Sequence, residues 1–326
     1  MTINKLFSPA LALALFVSGA PAMGADAAKN YPNRPIRMLM PNAPGSSTDT
    51  LGRIVANKLG DVLGQQVVVD NRSGAGGIIG MDIAKNANPD GYTVISASTA
   101  AMSIAPHIHK KLPYDPLNDY AFLSLFAVTP NVLVVNPTLP VKSVKELIDL
   151  TRSKQGQVNM ASAGAGSQSH LAGVLLQTMG KFESLHVPYK GGAGTAAVAA
   201  GESHWSINPA PSVMSLVKAG RLRAIAHTMP KRSPLLGDLP AIAEFVPGYS
   251  YSGWQGILAP RATPKPILDK LRASLLKTMS LPEVKDMITT QGAEVVTNTP
   301  EEFRKFVQDE INKIGPVVKS AGLKVE

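Results

Sequence analysis

Apolar and polar positions alternate along the chain in blocks that predict strands and helices in turn. The apolar run 36–41 predicts a strand, and apolar residues at helical spacing between Thr48 and Leu63 predict the helix after it. Further strands are predicted at 67–69, 92–96, 123–126, 132–135, 158–161, 205–207, 222–226 and 254–259, and one more ends at 187. Further helices are predicted at 77–85, 144–152, 169–179, 195–200, 212–219, 265–279, 282–290 and 300–319. This order is typical of an α/β protein with mainly parallel sheets flanked by helices.

Turn residues interrupt the pattern at two places, and these predict the domain boundaries. One lies at Thr129-Pro130-Asn131, where a loop is expected to break the strand run, and the other lies near Pro247–Ser252. About 300 residues also exceed one ordinary core, which favours two domains. We therefore predict a discontinuous first domain, residues 28–130 and 252–326, with the second domain, residues 131–251, inserted into it and the ligand cleft between them.

The first residues have the pattern of an export signal. Lys5 precedes a mainly apolar run, Leu6–Val17, and small residues follow it. The run is too short to span a membrane, and no other segment approaches about eighteen apolar residues. Residues 1–25 are therefore predicted to be a cleavable signal peptide. The chain has no cysteine, which excludes disulfides, thiolate metal sites and a lipid anchor on cysteine.

The net charge of +9 bears on the kind of partner that the protein binds. Lysine and arginine are scattered along the chain and are not interleaved with aromatic residues, so nucleic acid is not expected to be a partner. A dispersed positive field instead raises the encounter rate with small anions.

Two Gly- and Ser-rich stretches, Pro41-Asn-Ala-Pro-Gly-Ser-Ser-Thr-Asp49 and Ser162-Ala-Gly-Ala-Gly-Ser-Gln-Ser-His170, indicate an anion site. Each follows a predicted strand and precedes a predicted helix, whose first N–H groups attract anions. Two such turns predict half-sites that face each other across a cleft. Because neither contains lysine or arginine, backbone N–H and hydroxyl groups would hold the anion. The candidate ligand-binding residues here are Asn42, Ala43, Gly45, Ser46, Ser47, Thr48, Asp49, Ser162, Gly164, Ala165, Gly166, Ser167 and His170.

Each of these features also has an ordinary structural interpretation. Ser47 or Thr48 is explained equally well as a helix cap, and Asp49 either stabilises the helix start or orients a ligand group. Tyr189-Lys190-Gly191 is a third anion-facing candidate, although Lys190 is as readily a solvated charge. The Gly-rich stretch 71–80 lacks the G-x-G-x-x-G spacing of a dinucleotide site, so it is interpreted as a structural turn or a wall of the cleft.

The sequence contains few features that indicate an enzyme. No serine lies in a G-x-S-x-G elbow. An exported hydrolase that uses Ser167 and His170 is the alternative from another class. His107-x-His109 is interpreted as a surface feature rather than a metal site. We predict a protein that is not an enzyme and has no cofactor and no metal.

The sequence resembles the Bug (TctC-like) family of periplasmic solute-binding proteins, which work with tripartite tricarboxylate transporters. The resemblance runs from about Tyr31 to the C-terminus. The motifs that carry it, in order, are Tyr31-Pro-x-x-Pro-Ile36, Ala43-Pro-Gly45 with Asp49, Asn71-Arg72 with Gly74-Ala-Gly-Gly77, Pro89-Asp-Gly-Tyr92, Ser162 with Gly164-x-Gly-Ser167 and His170-Leu171, Val187-Pro-Tyr-Lys-Gly191, and Ala200-Gly-Glu202.

The resemblance implies a two-domain periplasmic binding protein of type II that closes like a flytrap on a small carboxylate. It implies that the two β–turn–helix loops hold one carboxylate, with Tyr189, Lys190 and Gly191 nearby. It also implies that the Ser98–Ala101 loop, including Thr99, and the Asn208-Pro209 stretch face the rest of the ligand. The expected partners are the membrane permease subunits of a tripartite tricarboxylate-type transporter or a sensor ectodomain, and the protein is expected to be a periplasmic monomer without a lipid anchor.

The chain departs from the family pattern at several positions near the predicted cleft. Asn42 stands where an aromatic residue is usual, Ser46 replaces a glycine, and Val198, His204 and Asn208 stand where acidic residues are frequent. Fewer negative groups suit an anion without an amino group. A dicarboxylate or an aromatic carboxylate is therefore favoured over an amino acid.

Overall fold

A mixed sheet runs through the part of the chain that this computed structural model describes, residues 29–323. The predicted signal peptide lies outside the described residues. The strands are β1 (Ile36–Met40), β2 (Val67–Asn71), β3 (Thr93–Ser98), β4 (Tyr120–Val135), β5 (Asn159–Ser162), β6 (Leu185–Pro188), β7 (Trp205–Pro209), β8 (Arg223–His227), β9 (Ser252–Pro260) and β10 (Glu294–Val295).

Helices cover the sheet and connect its strands. They are α1 (Ser47–Leu63), α2 (Ile78–Lys85), α3 (Ala105–Ile108), α4 (Val144–Ser153), α5 (Gln168–Gly180), α6 (Ala193–Ala200), α7 (Ala210–Lys218), α8 (Lys265–Ser280), α9 (Pro282–Thr290) and α10 (Pro300–Ser320). Among residues 29–323, no helix has both the length and the apolarity that a membrane crossing requires.

Parallel and antiparallel pairing divide the sheet into regions. Its order is β2-β1-β3-β9-β4-β7-β5-β6, and β8 and β10 also pair with β4. The segments β2-β1-β3 and β7-β5-β6 are parallel, as the alternation of strands and helices predicts. The long strands β4 and β9 are antiparallel to each other and to their other neighbours among the named strands. These two strands therefore join two parallel α/β units.

Strand β4 is longer than the sequence predicts. The predicted loop at Thr129-Pro130-Asn131 is wrong, because β4 continues through these residues as one strand of 16 residues. Pro130 faces Ser252, the first residue of β9, and Asn131 already pairs with β7. The missing N–H of proline thus falls where β4 exchanges one partner for another, a place where proline is tolerated.

The hydrophobic core is divided in the same way as the sheet. On one side, Met38 of β1, Leu51 of α1 and Leu271 of α8 are buried together. On the other, Leu147 of α4 and Trp205 of β7 belong to a separate cluster. The domain boundaries remain a prediction, but the buried side chains form distinct groups around each parallel segment.

Helix α10 packs on both groups. Phe303 and Val307, near its start, are buried with strands β3, β4 and β9. Ile314 and Val317, near its end, are buried in the cluster that contains Leu147 and Trp205. The C-terminal helix therefore spans from one side of the molecule to the other.

The segment after β3 is helical. A π-helical turn, Ala100–Ile104, leads directly into α3, where the resemblance implies a loop. His107 is half-buried in α3, and its Nε2 lies 2.7 Å from the carbonyl oxygen of Ile311 in α10. His107 is therefore part of the packing against α10 and not a surface loop residue.

Candidate functional site

Helices α1 and α5 begin with the same capping geometry. Ser46 precedes α1 with φ −68° and ψ 160°, and Ser167 precedes α5 with φ −67° and ψ 160°. Each hydroxyl accepts a hydrogen bond from the N–H three residues later, Asp49 at 3.3 Å and His170 at 3.2 Å. The two stretches therefore share one capping geometry. The predicted cap of α1, Ser47 or Thr48, is wrong by one or two residues, because Ser46 fills this role.

The residues before the caps match as well. Gly45 has φ 77° and Gly166 has φ 74°, a left-handed conformation that glycine adopts without strain. The N–H of Gly45 donates to Asp49 Oδ2 at 2.9 Å, and that of Gly166 donates to His170 Nδ1 at 3.1 Å. In both loops the third residue of the helix reaches back and holds the turn.

The two loops differ in charge at this third position. Asp49 is 3% exposed, and its carboxylate also accepts from Arg53 Nε at 3.0 Å and from Asn71 Nδ2 at 2.8 Å. Burial acts to raise the pKa of Asp49, but the hydrogen bonds from Arg53, Asn71 and Gly45 hold the pKa below its ordinary value. The carboxylate is therefore ionised and engaged within the protein, as in the interpretation that it stabilises the helix start. Its role as a ligand contact stays a prediction.

His170 is neutral at its helix start. Burial, with a smaller effect of His186, lowers the pKa of His170 to about 4. The two rings stack with centroids 3.8 Å apart and an angle of 14° between them. His186 Nε2 lies 2.7 Å from Ser162 Oγ, which accepts from the N–H of Gly164 at 3.1 Å. The stacked pair thus holds both ends of the turn that precedes α5.

This neutral histidine gives a testable pH dependence. The folded pKa of His170 lies below its ordinary value of 6.5, so the unfolded chain binds more protons between pH 6.5 and about 4. The stability that neutral His170 contributes is complete above pH 6.5 and is lost as the pH falls through this window. We expect H170N, whose amide oxygen can accept from Gly166 without titrating, to show a smaller fall in melting temperature than wild type. Equal falls in the two proteins would contradict this role.

The second loop and part of the first line one cavity of about 530 Å³. Asn42 of the first loop lines the cavity, and the second loop contributes Ala163, Ala165, Gly166, Ser167 and Gln168. Ala75 and Gly76 form another part of the wall, which agrees with the cleft-wall interpretation of the Gly-rich stretch. The volume lies within the roughly 300–1,000 Å³ usual for small-molecule sites.

Two buried polar atoms at the helix starts have no hydrogen-bond partner in the described part of the chain. They are Ser47 Oγ, in the first residue of α1, and Gln168 Nε2, in the first residue of α5. Buried polar groups are usually paired, so each unpaired group calls for a ligand or water. Gln168 lines the cavity but is not among the predicted residues, although its position directly after the cap is a usable signal.

The other predicted residues of the first loop do not line this cavity. Ala43, Gly45, Ser46, Thr48 and Asp49 shape the turn and the start of α1, and Ser98 Oγ lies 3.5 Å from Asn42 Oδ1. Thr99 Oγ1 accepts from the N–H of Trp254 at 3.0 Å.

The remaining predictions lie around the second loop or farther along the chain. The N–H of Tyr189 donates to the Ser162 carbonyl, whereas its hydroxyl lies 3.1 Å from Ser203 Oγ, so the ring belongs to the packing. The N–H of Gly191 donates to the Ala163 carbonyl, which places Lys190 in the turn beside the second loop. Asn208 Nδ2 donates to Ser206 Oγ. Pro209 precedes α7 and does not line the cavity.

A second cavity of about 910 Å³ runs along α5 from Ala165 and His170, at its start, toward its C-terminal end. The predicted residue His170 therefore lines this larger cavity and not the smaller one. Arg152 lies at the far end, where its guanidinium already donates to the carbonyls of Gly180 and Lys181. The smaller cavity is the better candidate for a site between the two loops, because Asn42 of the first loop also lines it.

Comparison with known proteins identifies the class. The sequence model of the family described as "Tripartite tricarboxylate transporter family receptor" (TctC) matches residues 51–323. The protein BugT of Bordetella pertussis is 34% identical over 317 residues, which cover 96% of this chain and 97% of BugT. The chain belongs to the TctC (Bug) family.

Solved structures of similar proteins support the same class. Rpa4515 of R. palustris, solved with adipate, has 33% identity and a TM-score of 0.85 over 90% of this chain and 99% of that one. MatC of Rhodopseudomonas palustris, solved with bound malate, has 29% identity and a TM-score of 0.79 over 88% of this chain and 100% of that one. The predicted fold class, a two-domain α/β periplasmic binding protein, is confirmed.

Proposed function

We propose that this chain is a periplasmic solute-binding protein that captures a small carboxylate and delivers it to a tripartite tricarboxylate-type transporter. A dicarboxylate or an aromatic carboxylate is the favoured ligand. The observation that carries the proposal is the matched pair of capped helix starts, both of whose loops reach one cavity of about 530 Å³. Similarity to proteins solved with adipate and with malate supports the class of ligand.

Helix N-termini can supply the required affinity without a cation. Each hydrogen bond to a charged carboxylate contributes roughly 1.5–3 kcal/mol. A micromolar complex corresponds to ~8 kcal/mol, and association costs about 4 kcal/mol or more, so about four to eight such bonds reach this affinity. The neutral state of His170 favours the α5 loop as the anion position, because the α1 loop already contains the carboxylate of Asp49.

Closure follows from the position of the long strands. Pro130 of β4 faces Ser252 of β9 where the sheet passes from one parallel unit to the other, so these strands are the natural hinge. A ligand that contacts both loops only in the closed form shifts the population toward that form. The closed form is then what permease subunits recognise.

The geometry disfavours the hydrolase alternative. Ser167 Oγ accepts from the backbone N–H of His170, while His170 Nδ1 accepts from the N–H of Gly166. The imidazole is therefore committed to the turn and does not activate the hydroxyl. Turnover of candidate esters that S167A abolishes would contradict the binding-protein assignment.

A thermal-shift panel tests the proposal. Purified protein without its predicted signal peptide is heated with dicarboxylates, aromatic carboxylates and amino acids at one concentration. We expect the carboxylates without an amino group to raise the melting temperature. At a concentration one hundred times Kd, a bound ligand adds about 2.7 kcal/mol to the free energy of unfolding. Stabilisation by amino acids alone would reverse the preference for the ligand.

The partner requires a separate experiment. The protein is cross-linked in cells with and without the ligand that the panel identifies. Ligand-dependent capture of permease subunits supports delivery to a transporter. Capture of a sensor ectodomain alone would assign the closed form to signalling instead.

A further inference from the structure

We infer that the ligand carries a single carboxylate on an apolar body, and that Leu323 from the C-terminal segment helps to select it. This inference rests on the proposed carboxylate-binding function. Of the two ligand classes favoured there, it keeps the aromatic carboxylate, as one kind of monocarboxylate with an apolar body, and rejects the dicarboxylate. The preference for an apolar body follows from the side chains that line the cavity beside the start of α5.

The polar end of the cavity is the start of α5. Gly166, Ser167 and Gln168 line it, and Gln168 Nε2 has no partner among the described residues. One carboxylate group suits this end, because its two oxygens accept from free N–H groups of the first helical turn.

Apolar side chains begin immediately beside this polar end. A Cβ built on Gly166 would lie 3.3 Å from Ile108 Cδ1 and 3.8 Å from Leu323 Cδ1. Ile104 and Ala105 extend the same wall along the cavity. A carboxylate held at the start of α5 would therefore have hydrocarbon as its nearest neighbour on this side.

The part of the lining that the structure describes is uncharged. Among the described residues that line this cavity there is no lysine, arginine, aspartate or glutamate, and its single titratable member is His109. A second carboxylate placed against this wall would lose water without gaining a cation, which is costly. An alkyl or aromatic body instead gains about 25 cal/mol for each Å² that it removes from water.

Leu323 reaches the cavity because α10 is anchored on both sides of the molecule. Ile314 and Val317 are buried beside α5, and the chain leaves the helix directly after them. Leu323 also packs against this cluster. The last described residue is thus held at the ligand cavity although it is far from both loops in sequence.

Calorimetry with matched acids tests the inference. Hexanoate and benzoate are compared with adipate, succinate and malate, and we expect the monocarboxylates to bind at least about tenfold more tightly. L323A is expected to weaken hexanoate binding by about tenfold, the scale of a small change in an apolar pocket. L323M is expected to retain most of the affinity. L185A is the control, because Leu185 is 60% exposed on β6 and does not line the cavity.

The outcomes test the class of ligand and the carboxylate-binding function separately. Dicarboxylates that bind tightly while hexanoate and benzoate do not would overturn this inference and leave the carboxylate-binding function intact. No binding of any carboxylate would contradict the function itself. Equal effects of L323A and L185A would remove Leu323 from the site.

Discussion

Replacing Gly166 with alanine is expected to weaken carboxylate binding by on the order of tenfold or more. Gly166 has φ 74°, and an L-residue pays about 1–2 kcal/mol in that region. The new Cβ would also lie 3.3 Å from Ile108 Cδ1 and so would push the turn away from the wall. Because the N–H groups of this turn are the proposed donors, a small displacement costs affinity, and 1.4 kcal/mol corresponds to a factor of ten.

Gly220 offers a matched control for this variant. Its φ is 68°, and a Cβ there would meet no atom within 4 Å. G220A therefore has the same backbone strain without the contact and lies after α7, away from the cavity. Both variants are titrated with the best ligand of the panel. Similar loss in both would mean that Gly166 affects stability and not the site.

Removing the Asp49 carboxylate is expected to cost about 2–3 kcal/mol of the free energy of unfolding, the scale of losing hydrogen bonds to a buried charged group. D49A would leave Arg53, Asn71 and the N–H of Gly45 without their acceptor. Because these contacts join the first loop to β2 and α1, the loss would also loosen the loop around Asn42. Denaturant unfolding measures the change.

The control for D49A is D149A. Asp149 forms an exposed pair with Lys145 at 2.6 Å on α4, and such pairs contribute about 0–1 kcal/mol. The pKa of Asp49 is lowered in the folded protein, so its contribution is present above the unfolded pKa and disappears as the pH falls through the folded value. The difference between wild type and D49A should therefore shrink in acid. A difference that stays constant down to low pH would contradict the ionised state.

Local features of the site were predictable from the sequence. The pattern of the sequence places a helix start in each of the two loops, because a cap acts within four residues of itself. The cap of α1 is Ser46, one residue before the predicted Ser47 or Thr48. The bounds of α1, α5 and α10 were predicted to within a few residues, because apolar spacing and caps determine them locally. The resemblance to a known family came from short motifs of the same kind.

Contacts between distant segments were not predictable in this way. His186 was not singled out, because its role depends on stacking with His170 after β6 is placed beside β5. The sequence leaves a ligand contact open for Asp49, because its bond to Asn71 requires the end of β2 to lie beside α1. Its bond to Arg53, in contrast, is local to one turn of α1.

The sequence by itself determined the class of the protein, the order of most of its strands and helices, and the two loops that begin α1 and α5. Only the tertiary structure decided that β4 is continuous through Pro130, that both loops reach one cavity, and that Leu323 joins its wall. The reason is physical. Caps and periodicity act over a few residues, whereas strand partners and cavity walls depend on which distant surfaces exclude water together.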